Sequence, residues 1–333
     1  MLRSSKLIRG QLLVACITLL LLYIALPAAS AASKSGASVA NSVTIKVDGT
    51  EVKLTDPVRV SDGRLFLPIA DLAVLFKAKT AWDSDNEAIT INTANKDTIV
   101  LSNGVPVVYF NEGRYRMDTA PFVVDGRVYI PLRHVAELLH AKVKWDADAQ
   151  LAELETVNPV VVKEDYGLTE IGKEYSVNKS VLLKRNGLKE AGEATEGTAL
   201  KVVIPSIFDQ EAAPFSDEDY RLLAKLVQVE VGYETYDSQL AVANVVLNRV
   251  ADSRFPDSIR DVIYSGKQFP PAHNGLLDKS TPNASVLRAA KDALNGKNNV
   301  RDAVYFYNPK VTKGAFWSGL ETIGTIGSHR FAK

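Results

Sequence analysis

Apolar and polar positions divide this chain into four stretches of different character. Residues 12–26 (LLVACITLLLLYIAL) are continuously apolar, lie behind Arg3, Lys6 and Arg9, and precede Pro27 and the small residues AASAAS. The apolar run is shorter than the ~20 residues that span a bilayer, so this pattern predicts a secretory signal peptide over residues 1–31, cleaved after Ala31. Two later segments, DGRLFLPIADLAVLFKAKTAWDSD from Asp62 and DGRVYIPLRHVAELLHAKVKWDAD from Asp125, align without a gap at a period of about 63 residues, which implies a duplicated unit. Each copy predicts a turn at Asp-Gly, a short strand, a proline opening a helix, and a strand after the tryptophan, making Trp82 and Trp145 equivalent. Residues 159–205 are rich in Lys and Glu, as a linker would be, but their pattern is more ordered than that. A β-branched run at Val160, Val161 and Val162 is followed by Leu168, Ile171 and Tyr175, then Val181 and Leu182, then Asn186-Gly187-Leu188 and LKVVIP: strand, helix, helix, strand.

The fourth stretch carries the chemistry. In SDEDYRLLAKLVQVEVGYETYDSQLAVANVVLNRV, Ser216 with Asp219 reads as a helix start, and Leu223, Leu226 and Val227 recur on one face. Glu230 continues that apolar face, while Arg221, Lys225 and Gln228 form the polar one. A carboxylate held among apolar side chains tends to stay protonated near neutral pH, as a general acid must; the structural alternative is a glutamate at a fraying helix end beside Gly232. Gly232 also predicts that the helix stops before Glu234, leaving that carboxylate in the following turn as a hydrogen-bonding or capping group rather than a second catalytic one. The helix predicted at 237–250 is apolar nearly all round at 240–246, as a helix central to a domain would be.

Composition removes other chemistries. At 333 residues the chain has room for two or three domains. Its only cysteine, Cys16, lies inside the apolar leader, so the mature chain has no disulfide and no thiol nucleophile. The four histidines, at 134, 140, 273 and 329, are scattered without zinc-ligand spacing, so neither a metal nor an organic cofactor is expected. A formal net charge of zero gives no electrostatic case for nucleic acid, and no stable membrane insertion is expected once the leader is removed. Carboxylate catalysis remains.

The stretch 222–250, with Glu230, Glu234, Tyr236, Gln239 and Asn248-Arg249, resembles the SleB/CwlJ-type cell wall hydrolases of spore-forming bacteria. RFPDSIRDVIYSGKQFPPAHNG from Arg254, SVLRAAKDALNG from Ser285, YFYNP at 305–309 and IGSHRFA from Ile326 extend the likeness in order through the last 120 residues or so. One departure stands out: where that family has Glu-Ala-Arg-Gly-Glu, this chain has Glu230-Val231-Gly232-Tyr233-Glu234, which keeps the glutamate and lacks the arginine. The resemblance implies a mainly helical, lysozyme-like or lytic-transglycosylase-like domain over 216–333 that cleaves peptidoglycan between N-acetylmuramic acid and N-acetylglucosamine with Glu230 as acid. It also implies supporting or substrate-binding roles for Glu234, Gln239, Asn248, Arg249, Gln268, Phe269, Tyr307, Asn308 and His329. Arg249 would clamp a substrate carboxylate or cap its own helix; Gln268, Phe269, Tyr307 and Asn308 have the amides and aromatic faces of a sugar cleft.

The duplicated region, 42–156, resembles the copper amine oxidase N-terminal-like stalk domain. The likeness carries no implication of copper or amine oxidation, whose histidine cluster and cofactor-forming tyrosine belong to a different, catalytic domain. A spacer, or a site for a wall-associated protein partner, is what it implies. Residues 159–205 resemble a LysM module, a binder of N-acetylglucosamine-containing glycans, which would place glycan contacts at Gly167, Leu168, Asn186, Gly187 and Leu188. Residues 206–215, with Pro214 and several acids, read as a hinge. The expected architecture is therefore a multi-domain α+β chain: a duplicated small α+β stalk-like domain, a βααβ LysM-like module, and a helical hydrolase. It would be secreted and associated with the wall or the spore. A catalytically silent peptidoglycan binder and an N-acetylmuramoyl-L-alanine amidase are the alternatives.

Overall fold

The computed structural model describes residues 36–266 and 268–333; the expected signal peptide and Cys16 lie outside the described residues. In the duplicated region, Asp62, Gly63, Asp125 and Gly126 all take positive φ (47°, 71°, 52° and 73°), the conformation of a two-residue hairpin turn. The turns join Arg59–Ser61 to Arg64–Pro68 and Phe122–Val124 to Arg127–Pro131. Pro68 and Pro131 then cap α1 (Ile69–Leu75) and α2 (Leu132–Leu138), where a missing N–H costs no helix hydrogen bond. The second strands of the two hairpins pair antiparallel, Phe66 with Pro131, Leu67 with Ile130 and Pro68 with Tyr129. That register is centred on Leu67 and Ile130, the one facing pair at corresponding positions of the two similar sequence segments.

The tryptophans sit differently from expectation. Trp82 and Trp145 lie within the strands Lys79–Asp83 and Ala141–Asp146 rather than ahead of them, because left-handed residues after each helix, Lys77 and His140, turn the chain directly into its strand. The first of these strands opens a five-stranded antiparallel meander and the second a four-stranded mixed sheet, whose Leu151–Thr156 runs parallel to Thr44–Val47. Leu67, Ile91, Ile99, Leu101, Ile130 and Leu154 are buried in the shared core.

Residues 159–205 form the predicted order: strand Val160–Val161, α3 (Leu168–Glu174), α4 (Lys179–Asn186) and strand Ala199–Leu200, with Val160 paired to Leu200. Their own core is small, built on Val162, Leu168, Ile171, Leu182, Leu200 and Val202. Polar groups fasten it to the preceding domain. Fully buried Arg185 donates to Asp97 (2.9 Å) and to the Val203 carbonyl (2.9 Å), and Lys201 donates to the other Asp97 oxygen (2.5 Å). The Nε2 atom of buried His140 accepts the Val202 and Val203 N–H groups (2.9 and 3.1 Å), which fixes the proton on Nδ1, donated to the Val157 carbonyl (2.6 Å). Burial, which disfavours the charged ring, pulls the His140 pKa down to about 4.

The stretch expected to be a hinge is instead packed down. Ile207 and Phe208 are buried, and the Phe208 ring stacks on Tyr115 at 4.9 Å. Glu137 accepts both the N–H and the hydroxyl of Ser206, while Arg116 N–H donates to the Gln210 carbonyl. Two apolar residues outweigh the polar composition around them, because their burial is worth several times the surrounding solvated groups.

The C-terminal domain comprises α5 (Asp217–Val231), α6 (Tyr236–Ala251), α7 (Ile259–Tyr264), α8 (Leu276–Lys279), α9 (Ala284–Leu294) and α10 (Ala315–Gly319). A three-stranded antiparallel sheet, in the order Tyr305–Tyr307, His329–Ala332, Thr322–Ile326, completes it. Ser216 caps α5 through the Asp219 N–H (3.0 Å), and Thr235 caps α6 through the Ser238 N–H (3.4 Å). Residues 240–246 of α6 are all buried, and α5 and α9 pack against this helix. Arg288 of α9 pairs with Glu87 (3.1 Å) and Arg114 donates to Asn295 (2.7 Å), so the domain is seated against the meander sheet.

Candidate active site

Glu230 is the penultimate residue of α5 and is half-buried. Its apolar neighbours along the helix, Leu223, Leu226 and Val227, are fully buried. Burial alone raises the pKa of its carboxyl above the ordinary range, with no opposing hydrogen bond or cation among the described residues. An undercompensated, desolvated carboxyl is suited to delivering a proton near neutral pH.

The turn after it is held by neutral amides. Helix α5 ends at Val231, and a Cβ at Gly232 would overlap the carbonyl and the carboxamide of Gln228. That carboxamide accepts the Asn283 N–H (2.9 Å), and the Gly232 carbonyl receives Asn283 Nδ2 (2.9 Å) and Gln239 Nε2 (3.2 Å). Gln239 also donates to the Glu234 carbonyl (3.1 Å) and accepts from the Ser285 hydroxyl (2.6 Å). The position at which the resembling hydrolases have arginine is therefore filled from the side by Gln228, one helical turn earlier.

Glu234 lies in the turn, as Gly232 predicts. Partial burial would raise its pKa, but the hydrogen bond from Ser328, the nearby Ser238 hydroxyl and the adjacent His329 ring outweigh that and hold it below the ordinary carboxylate range. Ser328 donates at 2.8 Å and His329 Nδ1 stands 3.4 Å from the same oxygen. Gly327, at φ 58°, lies so close that a Cβ would meet a Glu234 oxygen at 2.6 Å and the Ser238 hydroxyl at 2.7 Å. The two glutamates thus have opposite environments: Glu230 is stabilised as the acid, Glu234 as the anion.

Several residues expected in the cleft are structural instead. Arg249 is buried, its Nε donating to the Val304 carbonyl (2.7 Å) and its guanidinium lying 5.1–5.9 Å from the rings of Phe269, Phe255 and Tyr305. Burial lowers its pKa to about 10, and a buried cation in an aromatic cage does not reach out to clamp a substrate. Phe269, 1% exposed, is core rather than a sugar platform. Asn248 donates to the Ala303 carbonyl (2.8 Å) and accepts from Asn298 (2.9 Å), tying α6 to the loop before the sheet. Tyr307 is buried with its hydroxyl donated to the Trp317 carbonyl, and Asn308 folds a turn by accepting the Lys310 N–H. Gln268 is exposed.

In the βααβ module, Leu168 is core, Gly187 is the left-handed end of α4, and Leu188 packs on the core. The Gly167 N–H donates to Glu170. The Asn186 amide is wholly engaged, donating to the Leu182 and Lys201 carbonyls and accepting the Lys201 N–H. These residues build the module.

Sequence reasoning missed Ser328, Ser238, Gln228, Asn283 and Ser285, small polar residues whose only signal is proximity in sequence to a glutamate or a helix cap. Tyr233, 99% exposed between the two glutamates, also went unassigned.

The geometry now meets its relatives. Residues 233–332 match the family model described as Cell Wall Hydrolase, and residues 46–154 match that described as Copper amine oxidase N-terminal domain. The two matches cover separate stretches of the chain, and the first begins three residues after Glu230. Among individual proteins, the chain is 39% identical over 120 residues to a spore cortex-lytic enzyme of Halalkalibacterium halodurans, covering 36% of each chain. It is 35% identical over 119 residues to the spore cortex-lytic enzyme of Bacillus subtilis, covering 36% of this chain and 39% of that one. The match spans only a little over a third of these relatives' own length. Among solved structures, the catalytic domain of the germination-specific lytic transglycosylase SleB from Bacillus anthracis is 32% identical, with 36% of this chain and all of that chain covered and a TM-score of 0.34. Among the described residues no three His, Cys, Asp or Glu side chains come together as a metal site.

Proposed function

We propose that the chain is a secreted peptidoglycan-lytic enzyme that cuts the glycan strand between N-acetylmuramic acid and N-acetylglucosamine as a lytic transglycosylase. The observation that carries this reading is the contrast between Glu230, desolvated and proton-retaining, and Glu234, already engaged as an anion. A hydrolysing glycosidase needs a second carboxylate, roughly 5–9.5 Å away, free to attack or to activate water. Glu234 Oε1 is engaged by Ser328 and His329 and its Oε2 is shut away from solvent, which favours one-carboxylate chemistry.

Glu230 donates its proton to the bridging oxygen as the C1–O bond breaks, and the leaving sugar departs with a hydroxyl. The 6-hydroxyl of the same muramic acid then bonds to C1, its proton returning to the Glu230 carboxylate, so a 1,6-anhydro end forms and the acid is regenerated. Gln239 and Asn283, holding the Gly232 carbonyl, are positioning residues for the end of α5. Residues 159–205 would act as a LysM-like anchor that keeps the enzyme on its insoluble substrate, and the duplicated domain as a stalk. The named relatives point to spore cortex as the substrate.

Mass spectrometry of fragments released from purified sacculi and from spore cortex tests this directly. Anhydro-muropeptides from the parent chain and none from Glu230→Gln are expected. New reducing ends would make it a hydrolase, new amino groups an amidase, and release of nothing a silent binder.

A further inference from the structure

We infer that the cavity walled by the hairpin at Gly63, the start of α2, the strand of Trp145 and the connector at Gln210 is a second ligand site, taking carboxylate-bearing amino-sugar strands; the choice of ligand rests on the proposed function. The cavity holds about 1010 Å³, at the upper end of the ~300–1,000 Å³ usual for small-molecule pockets, and so suits an oligosaccharide rather than an ion.

Its walls have the chemistry of a glycan cleft. Val143 and Trp145 are two residues apart on one strand and so share a face. Val143 packs on the core, which turns Trp145 inward over the cavity with 45% of its surface exposed. An exposed indole is a flat apolar floor for the CH face of a pyranose. Gln210 brings a carboxamide for hydroxyl and acetamido groups, Gln150 adds its amide oxygen while its Nε2 is donated to the Ala147 carbonyl (2.7 Å), and Arg133 brings a guanidinium for a carboxylate. Arg64 is held by Asp118 (2.9 Å), which is itself bonded to buried His134 (2.6 Å), so the wall is braced. Trp82, the repeat equivalent of Trp145, is just as exposed at 47% but does not line this cavity. Duplication thus supplies two tryptophans, of which one faces a cleft. Gln210 belongs to the packed-down connector, so the cleft is continuous with the segment leading into α5. A second hold on the strand would raise the local concentration of scissile bonds at the catalytic domain.

The test is calorimetric titration of the full chain carrying Glu230→Gln, which keeps the ligand intact. The probes are a disaccharide-tetrapeptide fragment and chitotetraose, which lacks carboxylates. Trp145→Ala should weaken both by at least about fivefold, as loss of a central aromatic anchor does. Arg133→Ala, at an exposed position that leaves folding intact, should weaken only the carboxylate-bearing fragment, and Trp82→Ala should weaken neither. Equal affinity of the parent and Trp145→Ala, or equal losses from Trp82→Ala and Trp145→Ala, would overturn the assignment, as would no binding by the parent. Lysis of sacculi by the Glu230 chain is scored separately: lysis with an indifferent Trp145 sinks the cavity site alone, and Trp145-dependent binding without lysis sinks the enzymatic reading alone.

Discussion

Acidification should loosen the βααβ module from the duplicated domain through His140. In the fold this ring accepts two backbone N–H groups at Nε2 and can do so only while that nitrogen is unprotonated. Its folded pKa of about 4 lies below the ordinary 6.5, so the unfolded chain binds the proton first and stability falls as pH falls. The contribution is fully present above pH 6.5 and is lost progressively down to about pH 4. With each tenfold change worth about 1.4 kcal/mol, lowering the pH from 7 to 5 costs roughly 2 kcal/mol, or about 4–8 °C in Tm for a domain of this size. Glu230 and Asp292, whose pKa values are raised by burial, act in the opposite sense and add stability as pH falls. The informative quantity is therefore the difference in Tm slope between pH 7 and 5 for the parent and for His140→Gln, followed by calorimetry. The variant should be less stable at pH 7 yet nearly flat in the difference attributable to this site. Parallel slopes, or a His140 ring that titrates near 6.5 by NMR, would refute the argument.

Two further outcomes are expected. Asp97→Ala leaves Arg185, fully buried, facing Lys201 without their shared anion, so urea unfolding should show a loss of about 3–5 kcal/mol, whereas changing exposed Asp302, which pairs with Lys333, should leave the unfolding midpoint essentially where it is. Gly232→Ala forces a methyl against Gln228 and should cost about 1–3 kcal/mol while lowering kcat of muropeptide release more than KM, because the displaced turn fixes the end of α5 on which Glu230 stands; unchanged kcat would count against the positioning role.

How much of this was legible depended on the range of the interaction. The apolar stripe on α5, its Ser216 cap, its end at Gly232 and the half-buried Glu230 all follow from spacing within one or two turns, because helix periodicity and capping are local. The hairpin turns at both Asp-Gly pairs and the proline-capped helices were equally local. Arg249, Phe269 and Tyr307 read as cleft residues because their chemistry suits sugars; the sheet packed against α6 makes them interior.

The chain by itself determined where its helices and strands form and which carboxylate sits on an apolar face, since both are matters of period and neighbouring residues. Only the tertiary structure decided that Glu234 is held as an anion by Ser328, 94 residues away, that the connector is pinned rather than free, and that one tryptophan of the pair overlooks a cavity. Those outcomes depend on desolvation and on hydrogen bonds between distant segments, and neither exists until the chain has closed around the group in question.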